Sequence, residues 1–379
     1  MLYVDGGVAG IQRNELNAVL LIELFAVRVA VVDENTLGAV AEKTYSAAVE
    51  LDDYVILKEL YGYGWSSEYW DDQDGNEKSY YYWNTSSDKT AVVDASGVLT
   101  VNKNIDLGTL VANGTNSLEI VATDNALFAT NLHVMGNTTL TGDKFSFDNW
   151  NIHSDSTLTL SPGEGNTVTL NKYLAQGATG STLAITNGTF SVTKGANSGD
   201  GIATLQNCAL RIDNGGVLSL TPGWVLGYSN PNPVTVNKGE LLKIDKLEST
   251  HRPLVLNGGN VDVNLTGRAY ELRTVDVTAT DDSTIADKTS NGGARIYLIE
   301  GDSTFTVSEG KTLTVNISTD KEKGIIKKGQ GEARFKRELF HTGTNTISAG
   351  TFTIAYNSTT TNCANWIVSS GATLKVEDG

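Results

Sequence analysis

The chain has 379 residues, 40% of them hydrophobic, with 39 Gly, 5 Pro, 2 Cys and a formal net charge of -16. That apolar content excludes wholesale disorder, and the scarcity of proline excludes a Pro-rich stalk. The acidic balance argues against nucleic acid and anionic lipid as partners.

Residues 1–60 are rich in Ala, Val, Leu and Glu. The run "LNAVLLIELFAVRVAVV", Leu16 to Val32, has the minimum length of a membrane span but carries Glu23 and Arg28, which are costly at that depth. Leu16, Val19, Leu20, Leu24, Val27 and Val31 follow helical spacing. The expectation is a packed amphipathic helix, with a buried strand pair or a membrane anchor as the alternatives.

Two aromatic clusters in "YGYGWSSEYWDDQDGNEKSYYYW" (61–83) flank a polar segment. This predicts a hairpin turning at Asp74-Gly75, its arms held by cross-strand aromatic pairs. Asp72, Asp74 and Gly75 partly match a calcium loop, but Trp70 stands where its first Asp belongs. A solvated turn is the preferred reading.

From Thr90 onward one pattern recurs: an alternating strand, a glycine turn, a second alternating strand. "LAITNGTFSV", "LRIDNGGVLSL", "LVLNGGNVDV", "FTVSEGKTLTV" and "TISAGTFTI" are copies. No helical segment interrupts them, which excludes a βαβ sheet. The spacing, in the range of about 20 to 28 residues, is too short for a four-stranded propeller blade and fits one coil of a β-helix. The predicted fold is all-β: a right-handed parallel β-helix (solenoid) over 91–379, preceded by a small mixed region, 1–90, with the helix and the hairpin. Apolar residues point inward; Thr, Ser, Asn and Asp point outward in ladders.

Residues that can do chemistry are scattered. The best carboxylate pair is Asp281 with Asp302, about one coil apart. Asp282, the cluster Arg295, Glu300 and Asp302, and the pair Asp143 and Asp148 are weaker candidates, and solvated turn acids are the simpler reading. His133, His153, His251 and His341 are isolated; only His133 and His153, 20 residues apart, are spaced to stack in successive coils. Cys208 and Cys363 belong to no CxxC pair. They read as two buried thiols, with one disulfide left open. No catalytic, metal or cofactor residues are assigned, and no cofactor is expected.

The segment "KKGQGEARFKRELFHTGTNTISAGTFTI" within 324–379 resembles the autotransporter-associated β-strand repeat, also called the passenger-associated transport repeat. That repeat reads K-x-G-x-G-T-L-x-L and later Y-T-G-x-T-x-I-x-x-G-x-L. Lys328, Gly329 and Gly331 are taken as its opening, Phe340 and Gly343 as its middle, and Ile347, Gly350 and Phe352 as its end. "EARFKREL" departs from the Thr-Leu strand, and His341 separates the aromatic from Thr342-Gly343. The resemblance implies a non-catalytic, structural or adhesive passenger of a type V secretion protein, extracellular or on the outer-membrane surface of a Gram-negative bacterium. Its partners would be host-cell, matrix or glycan surfaces, together with a C-terminal β-barrel translocator. No leader is visible after Met1 and the chain reads "TLKVEDG" at its end, so a fragment lacking leader and barrel is expected. A pectate-lyase-like enzyme and a bare spacer are the rival readings.

Overall fold

The structure is a computed structural model. It describes most of residues 90–377, the segments Val27–Arg28 and Val49–Glu50, and the strands Gly64–Asp71 and Glu77–Asn84; runs such as 194–204, 265–270 and 356–364 lie outside the description. Parallel strands stack as a β-solenoid of about 9 turns, with no helix among the described residues.

The aromatic segment forms the expected hairpin. Gly64–Asp71 runs antiparallel to Glu77–Asn84, and Trp65 registers with Trp83. Its turn, including Asp74-Gly75, lies outside the described residues. The expected helix is corrected where it can be seen: Val27–Arg28 is a strand, antiparallel to Ala95 and Asp94. Pairing to a neighbouring strand there outweighs the helical spacing. The rest of Leu16 to Val32 is not described.

The chain divides into two compact units. In the first, Met1–Val168 with Gly177–Thr182, the strands from Ile105 to Ser161 pair in parallel with their counterparts one coil on. Leu118 faces Thr138 and Thr138 faces Leu158, two steps of 20 residues. Inward residues therefore form columns. Leu110, Leu132 and Trp150 are one, and Ile120, Leu140 and Leu160 another; all six are buried.

The second unit, Thr169–Gln176 with Leu183–Gly379, has three faces. One runs through Val234–Asn237, Leu254–Asn257, Asp276–Asp281, Ser303–Val307, Ile325–Lys328, Asn345–Ile347 and Trp366–Val368. The next runs through Leu241–Ile244, Asn260–Val263, Ser283–Asp287, Thr312–Asn316, Glu332–Phe335, Thr351–Ile354 and Thr373–Val376. The third is shorter: Glu248–Ser249, Glu271–Arg273, Arg295–Tyr297 and Ser318–Asp320.

Coil length varies far more than strand register, which shifts in this unit between Leu256 and Asn257, where Thr280 is the extra residue. Glu332 to Thr351 is a step of 19 residues, whereas Ser283 to Leu313 is a step of 30. The extra residues lie at corners. Asp287 ties down one of them, accepting from the backbone N–H of Thr289 at 2.8 Å and of Ala294 at 3.2 Å.

Inside, Phe305 meets Phe335 edge-on at 5.5 Å, Phe335 stacks on Phe352 at 4.7 Å, and Trp366 meets Phe352 edge-on at 5.1 Å. Outside, a polar ladder climbs one corner: Asn237 donates to Asp213, Asn257 to Asn237 at 2.8 Å, and Thr280 to Asn257 at 2.5 Å.

Phe335 is fully buried in the middle of the aromatic stack. Phe335→Ala should destabilise the second unit by about 3–5 kcal/mol in urea unfolding. Thr314→Ala, on the outward face, should stay within about 0.5 kcal/mol.

Candidate functional site

The segment resembling the transport repeat builds one corner and its strands. Gly329 and Gly350 are left-handed, with φ of 71° and 67°. A Cβ on Gly350 would fall 2.4 Å from the Gly329 carbonyl oxygen, and one on Gly331 would fall 2.1 Å from that of Ser308. Gly343 is excluded from any larger side chain by the Lys323 carbonyl carbon, 2.2 Å from its would-be Cβ. These glycines sit where one coil presses on the next. Ile347 and Phe352 are fully buried beneath them. Phe340 is half-buried on the outer surface of the third face, with the Arg295 guanidinium 4.6 Å above its ring.

Lys327, not Lys328, anchors this corner. Its side chain is fully buried. Nζ donates to the carbonyls of Lys328 and Gly329 at 2.7 Å each and of Ala349 at 3.2 Å. Burial pushes its pKa down to about 8. The three carbonyls favour the ammonium, and it stays charged at neutral pH. Lys328 is exposed. The pattern K-x-G-x-G fits Lys327, Gly329 and Gly331, and that spacing was the available signal.

His341 and Asn345 are buried beside this corner. Asn345 Oδ1 accepts from the Ile325 N–H at 2.9 Å, and His341 Nε2 lies 2.9 Å from the same oxygen. That nitrogen must carry the proton, so Nδ1 accepts from Thr319 Oγ1 at 2.7 Å. The imidazole is neutral, held so chiefly by burial.

His133 and His153 do stack, as their spacing suggested. The rings are 5.4 Å apart and nearly parallel, and Nδ1 of His133 lies 3.1 Å from Nε2 of His153. One nitrogen donates and the other accepts. Burial pushes both down to about 4.

The carboxylate pair of Asp281 and Asp302 does not form. Asp302 stands two residues before Thr304, which faces Asp276, whereas Asp281 stands five residues after Asp276. The two are thus about seven strand steps apart, roughly 20 Å. A one-coil spacing in number is not a shared level when the coil length varies. Asp281 instead accepts from Lys311 Nζ at 2.5 Å, which holds its carboxyl below the usual range. Asp282 caps the Thr312 N–H and Asp302 the Gly324 N–H, both at 2.8 Å. Arg295 pairs with Asp320 at 2.5 Å, and Asp143 lies 3.5 Å from Lys144. Cys208 is a free buried thiol, pushed up to about 11 by burial. Glu300, His251, Cys363 and the calcium-like loop lie outside the described residues. Among the described residues, no three His, Cys, Asp or Glu groups converge to hold a metal.

Arg252 is fully buried and donates to the carbonyls of Asn232 at 2.9 Å and Leu205 at 2.8 Å, and to that of Cys208. Like Lys327, it ties together backbone segments distant in sequence. No family model, curated protein or solved structure matches the chain.

Two outcomes are expected. Lys327→Met should cost about 2 kcal/mol, because three part-buried hydrogen bonds to carbonyls are lost, while Lys328→Met should be near neutral in the same unfolding assay. The His133–His153 pair titrates at about 6.5 when unfolded and about 4 when folded, so the unfolded state takes protons first. Stability is then full above pH 6.5 and is lost as pH falls towards 4, by up to about 1.4 kcal/mol per pH unit for each group. His133→Gln with His153→Gln should flatten that slope; an unchanged slope would disprove the assignment.

Proposed function

We propose that this chain is a structural, adhesive passenger of the autotransporter kind, secreted or displayed at a bacterial outer-membrane surface, and not an enzyme. The observation that carries the reading is where the reactive side chains go. Lys327, Arg252, His341, Asp281 and Asp302 each bond to a backbone or side-chain partner about one coil away or further. Side chains used to fasten coils are not poised for turnover. What remains for partners is the outer surface, where Thr, Asn, Asp and Lys recur at the spacing of the coils. Repeated weak contacts on such a surface add through effective concentration.

The test is adhesion by the whole chain clustered on beads. Attachment to host cells or extracellular matrix at low micromolar strength or better is expected, with no cleavage of acidic polysaccharides. Cleavage would sink the reading in favour of a lyase or hydrolase, and failure to attach would leave a spacer.

A further inference from the structure

The chain is acidic overall, yet its positive charge is concentrated. Seven of its 28 Lys and Arg residues fall within 321–337, against only Glu322 and Glu332. Two of the seven are already used: Lys327 is buried in its corner, and Arg334 pairs with Glu377. Lys321, Lys323, Lys328, Lys336 and Arg337 are exposed or half-buried. None of these five makes an ion pair among the described residues.

The coil path gathers four of the five around the third face. Lys321 and Lys323 follow the strand Ser318–Asp320 at one edge. Lys336 and Arg337 follow Glu332–Phe335 at the other edge, one coil on, where Leu339 bridges Thr319. Between them stand two half-buried rings, each already under a cation: Lys321 Nζ lies 4.5 Å from the Tyr297 ring and Arg295 lies 4.6 Å from Phe340. Asp320 and Glu338 are also on this face. Asp320 is neutralised by Arg295, and Glu338 accepts from Ser318 at 2.9 Å.

We propose that this strip is a binding surface for an acidic glycan. The strand at its centre is three residues long, roughly 10 Å, or about two sugar rings. Lys323, Lys336 and Arg337 supply cations for carboxylate or sulfate groups. Phe340 and Tyr297 supply the flat apolar surface on which a sugar ring packs, and their resident cations lie within reach of its acidic substituents. The shared chemistry is a polyanionic sugar chain, and the source of the anion is left to the test. The proposal names the ligand class of the adhesive reading above.

The experiment is calorimetric titration of the whole chain at 0.05 and 0.15 M salt with four probes: oligogalacturonate, a heparin oligosaccharide, a neutral glucan oligosaccharide and polyphosphate. Binding to one or both acidic sugars is expected, weaker at the higher salt. Preference for oligogalacturonate assigns a carboxylate ligand and preference for heparin a sulfated one. The surface variant Lys323→Glu/Lys336→Glu/Arg337→Glu should lose at least tenfold in affinity with its thermal midpoint unchanged. Phe340→Ala should lose several-fold. Undiminished binding by the charge variant would overturn the strip. Equal binding to polyphosphate and sugar, with Phe340→Ala silent, would overturn sugar recognition. Bead adhesion by a chain that binds neither acidic sugar would reject this ligand while leaving the adhesive reading standing.

Discussion

Backbone pairing between successive coils is the constraint on which everything else depends. Each coil must present its N–H and C=O groups to the next at about 4.8 Å. A residue added to a strand would reverse the faces of all that follow it in that strand. Length variation is therefore pushed into corners. Corners are where backbones come closest, and there Gly331 and Gly343 stand because a methyl group would collide with the coil before. Inside, parallel register makes columns, so one position must suit its neighbours above and below. Phe335 and Phe352 meet this by stacking ring on ring.

A solenoid leaves polar backbone at its corners facing inward, and that sets the role of the buried charges. Burying an ammonium or guanidinium costs several kcal/mol even after relaxation. Three hydrogen bonds to carbonyls, at about 1.5–3 kcal/mol each when charged, offset a cost of that size. They also satisfy acceptors that would otherwise be orphaned. Lys327 and Arg252 are held on this balance by main-chain carbonyls. The neutral histidines solve the same problem more cheaply. His341 accepts from Thr319 and donates to Asn345, so the ring closes a polar chain without adding a charge.

The solenoid was legible because its two signals are local. Alternation marks strands and glycine marks corners, and both survive irregular coil lengths. What was not legible depended on register. Asp281 and Asp302 are level only under a constant period; the corner insertions between Ser283 and Leu313 displace them. Lys327 was missed for a related reason. In "IIKK", inward and outward positions both look plausible, and a lysine is read as outward by default. Strand parity, Ile325 and Lys327 inward with Lys328 outward, decides otherwise. At Val27–Arg28 the helical spacing was real, but an antiparallel partner at Ala95 decided the local structure, and no periodicity within the segment reports a partner so far along the chain.

Charge placement gives the outer surface a different logic from the core. The net charge of -16 repels polyanions at long range, but at physiological salt that repulsion is screened beyond about 8 Å. An anionic chain close to the surface responds to nearby charges, not to the sum. A local excess of lysine and arginine at 321–337 therefore works inside an acidic protein without making it a general polyanion trap. Cations over Tyr297 and Phe340 also keep those rings covered by polar groups, which suits a surface that must remain soluble until it is occupied. The same sequence segment thus divides its cations by place: strand parity turns Lys327 inward to fasten a corner, while Lys321, Lys323, Lys336 and Arg337 follow the strands at the edges of the third face.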